Sequence, residues 1–224
     1  NFCNTVASNA CGWWKITNGR VDFDFSGLAE NAYGWWKITN GQVDFSYVGY
    51  EQNGSNWWYV YGGQVCFQAT DVLPGTVGGQ YGWWKVCEGK VNFDDDVCEN
   101  AYGWWKITTG KVDFQYTGLA QNACGWWMIQ NGHVNFGSNG LVDNGNGWWL
   151  VKNGCVDFTY NGLVDNGNGW WLIRNGYVDF NYNGLVDNGN GWWLVKNGCV
   201  DFSYQGYVQN ECGVWWVSNG QVQF

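Results

Sequence analysis

Apolar and polar positions alternate along this chain in short runs with a period of two, and asparagine and glycine interrupt the runs at regular intervals. From Gly12 onward the run Trp-Trp-Lys-Ile-Thr leads into Asn18-Gly19 and then into Arg-Val-Asp-Phe. Alternation on both sides of an Asn-Gly dipeptide predicts two antiparallel strands joined by a two-residue type I′ turn. That turn fixes a register in which Thr17 faces Arg20, Ile16 faces Val21, Lys15 faces Asp22, Trp14 faces Phe23 and Trp13 faces Asp24. Strand side chains alternate, so Trp14, Ile16, Val21 and Phe23 share an apolar face, while Trp13, Lys15, Thr17, Arg20, Asp22 and Asp24 share the opposite one. Lys15 with Asp22, Lys37 with Asp44 and Lys106 with Asp113 read as cross-strand pairs of roughly 0.2–1 kcal/mol each. In later units the cation moves two places, to Lys152, Arg174 and Lys196, and stays on that face.

The pattern repeats about every 22 residues. Trp pairs begin at Trp13, Trp35, Trp57, Trp83, Trp104, Trp126, Trp148, Trp170, Trp192 and Trp215, which makes ten units. After each hairpin a tail such as Phe25-Ser26-Gly27-Leu28-Ala29 reads as a short third strand or a tight loop, with its leucine plugging the space between hairpins. A two-stranded hairpin is marginal in water and buries its apolar face only against a neighbour. The expected fold is therefore all-β, an elongated solenoid of about ten stacked β-hairpin repeats with little or no helix. Residues 69–81 lengthen one spacing and hold the only proline, in Leu73-Pro74-Gly75. They are read as an insertion or kink between repeats 1–3 (1–68) and repeats 4–10 (82–224).

Composition sharpens this picture. The chain has 20 Trp, 13 Tyr, 12 Phe and 35 Gly but one His, one Met and one Pro. Its net charge of −9 repels nucleic-acid phosphate and anionic lipid, so neutral or cationic partners are expected, with no nucleic acid and no membrane insertion. No apolar stretch is long enough for a transmembrane helix. Asn1 falls inside a repeat, which points to a fragment or a processed product. Nine cysteines without a C-x-x-C pair argue against a zinc site. They fit disulfides in an oxidising compartment, with Cys3–Cys11, Cys87–Cys98 or Cys155–Cys199 as candidate bridges, or else small apolar fillers.

The first Trp of each pair lies on the face opposite the apolar one. Ten such indoles left in water would expose roughly 2,000 Å², far beyond the apolar patch of a soluble monomer. Either neighbouring repeats cover them or they line slots in which a sugar ring or quaternary ammonium stacks. Asp-Asn-Gly-Asn-Gly at Asp143, Asp165 and Asp187 reads as a glycine turn, since it lacks the closing glutamate of a calcium loop. His133 falls at the variable position after Asn-Gly, which reads as tolerant and outward. The repeated Asp22, Asp44, Asp113, Asp157, Asp179 and Asp201 read as hairpin partners, because a uniform array does not set two carboxylates apart as acid and base. No catalysis, metal or cofactor is expected.

Units of about 20 residues with Gly-Trp, Asn-Gly and a closing aromatic resemble the cell-wall-binding repeats of Gram-positive bacteria. Those include choline-binding and glucan-binding modules and the repetitive oligopeptides of clostridial toxins. Here Val-Asp-Phe replaces the Trp-Tyr-Tyr-Phe strand of those families, and Asn-x-x-Gly-Trp-Trp replaces Thr-Gly-Trp. The resemblance implies stacked hairpins with aromatic slots between units. By position the slot residues are Trp13, Trp35, Trp104, Trp126, Trp148, Trp170 and Trp192, with Tyr47, Tyr116, Tyr160, Tyr182 and Tyr204 nearby. It further implies a secreted or bacterial cell-surface protein that attaches to a cell-wall or host glycan, or to choline-like cations, through several weak sites in series. Two other readings are a host-protein-binding adhesin, for example one that binds immunoglobulin, and a structural stalk.

Overall fold

A computed structural model describes residues 4–224, and among these every regular element is a β-strand, thirty in all. No helix is long and apolar enough to cross a membrane. The chain divides into two compact units, through Gln115 and from Tyr116 onward.

The Asn-Gly turns form as the sequence predicts. Asn18, Asn40, Asn131, Asn153, Asn175, Asn197 and Asn219 take φ of 48–51°, and the following glycines take 76–81°. Asparagine tolerates this left-handed region and glycine enters it freely, so both central residues of a type I′ turn are satisfied. The register agrees next to the turn, with Ile16 opposite Val21 and Thr17 opposite Arg20. It then departs from expectation. The strand after the turn has only two residues, Arg20–Val21, and Trp14 pairs with Gln42 of the next repeat rather than with Phe23. After Asp22, whose N–H still reaches the Lys15 carbonyl at 2.9 Å, the chain turns away.

The tail supplies the longer partner strand. Gly27–Asn31 lies antiparallel to Gly34–Thr39 across the Asn31-Ala32-Tyr33-Gly34 turn, and Leu28 faces Lys37. Each repeat is thus a three-stranded meander in which the Trp strand is central. Asn31 fixes the turn, its Oδ1 accepting the Tyr33 N–H at 2.9 Å. The insertion at 69–81 lies within such a meander, where Asp71–Val77 and Gln80–Cys87 form longer arms around Gly78-Gly79. The Tyr50 hydroxyl donates to the Leu73 carbonyl at 2.9 Å, and the Tyr50 ring lies where a side chain on Gly75 would go.

Burial follows the central strand on both of its faces. Toward one neighbour lies the Ile or Val of the strand with its cross-turn Val, as in Ile38 with Val43 and Ile173 with Val178, all almost wholly buried. Toward the other neighbour, Leu150 packs on Ile173 and Val178, Leu172 on Val195 and Val200, and Leu194 on Val217 and Val222. Phe23 and Phe45 were expected on the apolar face; they are 63% and 50% exposed, because the two-residue strand ends before them. Lysines fill the leucine position in the first unit except at Tyr59, and the lysines' partners differ from those the register predicts. Lys37 pairs with Glu51 of the next repeat at 2.8 Å rather than with Asp44, and Lys85 with Asp96 at 2.7 Å. In the second unit Lys152–Asp157 and Lys196–Asp201, at 2.9 Å, and Arg174–Asp179, at 3.4 Å, form on the expected face.

Successive repeats are tied through the turn glycine. In the first pair Lys15 N–H donates to the Gly41 carbonyl and Gly41 N–H to the Phe25 carbonyl, each at 2.8 Å. A Cβ on Gly41 would lie 2.6 Å from the Asp22 carbonyl oxygen and 2.8 Å from the Phe23 Cα. Gly176 meets the same obstacle, with the Asp157 carbonyl at 2.5 Å and φ of 76°. Gly167 has φ of 84° but open space around it. Gly167→Ala should cost about 1 kcal/mol from the left-handed backbone alone, whereas Gly176→Ala should cost at least about 3 kcal/mol because backbone must also move. Urea unfolding of the two variants measures the difference.

The ion pairs of the first unit make it acid-sensitive. Partial burial pushes the Asp96 carboxyl up, but the Lys85 ammonium and the Val97 N–H outweigh it and hold the pKa below the ordinary carboxylate value. A depressed folded pKa contributes stability that is complete above the unfolded value and lost as pH falls through the folded one. Urea midpoints of the wild type should therefore drop on going from neutral pH to about pH 2, and Asp96→Asn should flatten part of that drop.

Candidate functional site

The first Trp of one repeat meets two rings of the next. Trp13 lies 5.1 Å from Trp36 and 6.1 Å from Phe45, and Trp36 lies 5.7 Å from Phe45. The rings are tilted or edge-on, with 49° between the two indoles and 87° between Trp13 and Phe45, so they form a corner rather than a stack. Trp35 repeats the arrangement with Trp58 and Phe67. In the second unit it recurs as Trp126 with Trp149 and Phe158, Trp148 with Trp171 and Phe180, and Trp170 with Trp193 and Phe202. Centroid separations run from 4.8 Å for Trp170–Trp193 to the 6.1 Å above. Recesses open at the first of these corners and at the matching residues of the last two repeats. One, of about 560 Å³, is lined by Trp13, Trp36, Tyr33, Asn31, Gln64 and Ser8 among others. The other, of about 240 Å³ and more enclosed, is lined by Trp192, Trp215, Phe224, Asn210, Cys212 and their neighbours.

Local sequence explains how the corner is held. The Asn that forms each Asx turn also accepts the indole N–H of the second Trp, as Asn31 does from Trp36 and Asn122 from Trp127, both at 3.0 Å, and Asn210 from Trp215 at 2.9 Å. In the three near-identical repeats that share Gly-Leu-Val-Asp-Asn-Gly-Asn-Gly-Trp-Trp from Gly140, Gly162 and Gly184, the turn has another shape, in which Asp143 accepts the Gly145 N–H and Asn144 the Asn146 N–H. There the indole nitrogens of Trp149, Trp171 and Trp193 are buried without a partner, as is that of Trp58.

The expected slot residues divide by location. Trp13, Trp35, Trp126, Trp148 and Trp170 stand at corners, Trp192 lines a recess with Trp215 and Phe224, and Trp104 is half-buried at the matching place of its central strand. The tyrosines have other contacts. Tyr47, Tyr116, Tyr160, Tyr182 and Tyr204 each donate a hydroxyl proton to the carbonyl three residues on. Lys37, Lys152, Arg174 and Lys196 lie over the rings of Tyr47, Tyr160, Tyr182 and Tyr204. The second Trp keeps the apolar-face place read from the period, being buried in the core at Trp36 and Trp84, and is also a corner wall, whereas the Phe leaves that face and is a corner wall alone. Its signal was the strict recurrence of Phe two residues after the cross-turn Val, just past the point where the strand ends.

The tenth repeat is framed differently from its Trp pair. Val217 opposite Val222 matches Val195 opposite Val200, so Trp215 is a second Trp and Val214 stands in the place of the first. The position after Asn-Gly is also more constrained than the sequence suggests. Gln42, Gln64, Lys90, Lys111, Tyr177 and Gln221 pair in register with the second Trp of the preceding repeat. Lys90 and Lys111 lie over the Trp58 and Trp84 rings at 5.6 and 5.8 Å, and the Tyr177 ring is 4.9 Å from Trp149. His133 holds this position half-buried, opposite Gln130.

The carboxylates act as turn formers. Asp44 accepts the Ser46 N–H and hydroxyl, and Asp157 accepts those of Thr159. The Lys152 ammonium and Thr159 hydroxyl hold the Asp157 pKa down to about 2. Among the described residues no cluster of His, Cys, Asp and Glu is arranged to hold a metal ion. The eight described cysteines are unbridged, so the candidate bridges Cys87–Cys98 and Cys155–Cys199 are absent and the alternative of small fillers fits instead; Cys3, of the candidate Cys3–Cys11, lies outside the described residues. Cys155 fits beside Gly125 and Cys199 beside Gly169, as fillers. Burial pushes the Cys98 thiol up to about 12 and also raises those of Cys155 and Cys199, so these sulfurs stay protonated and unreactive.

The partnered and unpartnered indoles should respond differently to loss of the N–H. Trp36→Phe removes a hydrogen bond that Trp171 does not have. Trp171→Phe should therefore be the milder change, by about 1 kcal/mol in denaturant unfolding.

The sequence matches the choline-binding repeat family at residues 24–44, 46–66, 115–135, 137–157, 159–179 and 181–201. Among solved structures it is similar to CbpJ from Streptococcus pneumoniae TIGR4, at 13% identity over 98% of this chain and 87% of that one, with a TM-score of 0.37. It is also similar to choline binding protein F from Streptococcus pneumoniae, at 17% identity over 92% of this chain and 76% of that one, with a TM-score of 0.36. The modular autolysin LytC of the same species follows at 11% identity, 98% and 53% coverage and a TM-score of 0.32. No curated protein matches the sequence.

Proposed function

We propose, for a chain that belongs to the choline-binding repeat family, that the aromatic corners between its repeats hold choline-type quaternary ammonium groups of a Gram-positive cell wall, several at once and without catalysis. The observation that carries this reading is the recurrence, in both units, of two indoles and a phenyl ring set at angles to one another. Ring faces turned toward a common corner offer negative quadrupole density to a cation that is too methylated to need hydrogen bonds. The protein's own ammonium groups favour the same rings, as Lys90 over Trp58 and Lys111 over Trp84 show. A net charge of −9 adds a long-range attraction for cations.

Repetition makes weak corners useful. Cation–π contacts contribute on the order of 1–2 kcal/mol, which gives a weak single site, but ligands repeated along a wall polymer engage linked corners at high effective concentration. A glycan reading has one observation in its favour. Polar side chains, Ser8, Asn31 and Gln64, edge the recess at Trp13 and Trp36, where the hydroxyls of an adjoining sugar would lie, although Asn31 and the Gln64 amide N–H already serve the turn.

Tryptophan fluorescence titrations separate charge from shape. Choline should bind about fivefold or more tightly than its neutral isostere 3,3-dimethylbutanol, and equal affinities would remove the cation–π basis of the proposal. Trp148→Ala should lower retention on purified cell walls by a fraction, about threefold or less, with circular dichroism unchanged. Retention that is unaffected by free choline would count against the site as assigned.

A further inference from the structure

The recesses are not alike, and one position distinguishes them. The residue before the glycine that opens each central strand lines the recess in both cases where the lining is defined, as Tyr33 in the first unit and Cys212 in the second. Tyr33 is 74% exposed, yet its ring stands 6.0 Å from Trp13 at 62°. Tyr102 repeats this, 73% exposed and 5.4 Å from Trp83 at 90°. The backbone beneath each ring is pinned. Asn31 and Asn100 accept the Tyr33 and Tyr102 N–H groups at 2.9 Å, and Gln64 donates to the Tyr33 carbonyl at 2.7 Å. Cys212 sits in the same kind of turn, its N–H bound by Asn210 at 2.9 Å. In the near-identical repeats this position is Asn146, Asn168 or Asn190, on the differently shaped Asp-Asn-Gly-Asn turn.

We infer that this residue is the wall that sets how tightly each recess holds a methylated ammonium: Tyr33 and Tyr102 add a further ring to their sites, whereas Cys212, Asn168 and Asn190 leave theirs with three, and at Asn146 the further ring is that of Tyr177, from the next repeat. The inference rests on the cation reading above and goes beyond it by assigning two classes of site within one array. A ring standing across the first indole screens one side of the recess from water, and cation–π attraction strengthens as the cation is desolvated. An exposed tyrosine with a pinned backbone and no core to fill is otherwise unexplained by packing. Cys212, Asn168 and Asn190 offer no ring face and leave that side open.

The test is calorimetric titration of the intact chain with choline. The wild type should show a tighter and a weaker class of sites. Tyr33→Ala with Tyr102→Ala should weaken the tighter class by about two- to fivefold, while Tyr33→Phe with Tyr102→Phe retains it, since the ring and not the hydroxyl forms the wall. Cys212→Tyr, placed in a turn of the same geometry, should tighten the last recess by a similar factor. Unchanged or tighter binding in the double Ala variant, or no gain with Cys212→Tyr at unchanged far-UV circular dichroism, would overturn this inference and leave the cation reading intact. Absence of choline binding by the wild type would overturn both.

Discussion

The array depends on one backbone contact, the docking of each hairpin-turn glycine onto the repeat before it. Gly41 accepts from Lys15 and donates to Phe25, and Gly63, Gly89, Gly154, Gly176, Gly198 and Gly220 make corresponding bonds. Two demands meet at this residue. The type I′ turn requires φ near 80°, and the approach of the preceding backbone leaves no room for a Cβ. Glycine satisfies both, so the dipeptide that shapes a hairpin also joins it to its neighbour.

Once the turn is docked, the distance between central strands is set and side-chain chemistry fills what remains. In the second unit the Leu of one repeat closes the interface against the Ile or Val and cross-turn Val of the next, while in the first unit lysine ion pairs such as Lys37–Glu51 and Lys85–Asp96 occupy the leucine side. Those two solutions keep the same geometry but differ in their response to acid, because leucine has nothing to protonate. Most of the indoles are only partly covered, although Trp36 and Trp84 are buried. Each first Trp is pressed against the next repeat's second Trp and Phe at a fixed angle, and the corner follows from the stacking geometry. Packing that an isolated meander needs for stability thereby prepares a surface suited to cations, with little rearrangement required on binding.

Variation is confined to positions that the docking contact leaves free. The residue after the turn glycine changes among Gln, Lys, Tyr and Cys while pairing in register with the second Trp of the preceding repeat. The turn before Gly-Trp-Trp changes between an Asn-x-x-Gly form that ties the second indole and an Asp-Asn-Gly-Asn form that leaves it unpartnered. An unpaired buried N–H is costly, so the near-identical repeats give up a hydrogen bond that the others keep.

Strand period, turn type and repeat length were legible in the residues, because alternation and Asn-Gly are local signals that need no partner. From them came the all-β stack, the register next to each turn, and the first Trp as a candidate wall. The length of the second strand was not legible, since Val-Asp-Phe continues the alternation past the point where the Asp turns the chain away. That break moved Phe from core to corner, gave Lys37 a partner in the following repeat, and turned the tail into a full strand. The sequence determined the hairpin, whose hydrogen bonds and backbone angles close within a few residues. Only the tertiary structure decided which rings meet, because each corner draws its walls from two repeats whose spacing is fixed by a glycine contact some twenty residues away.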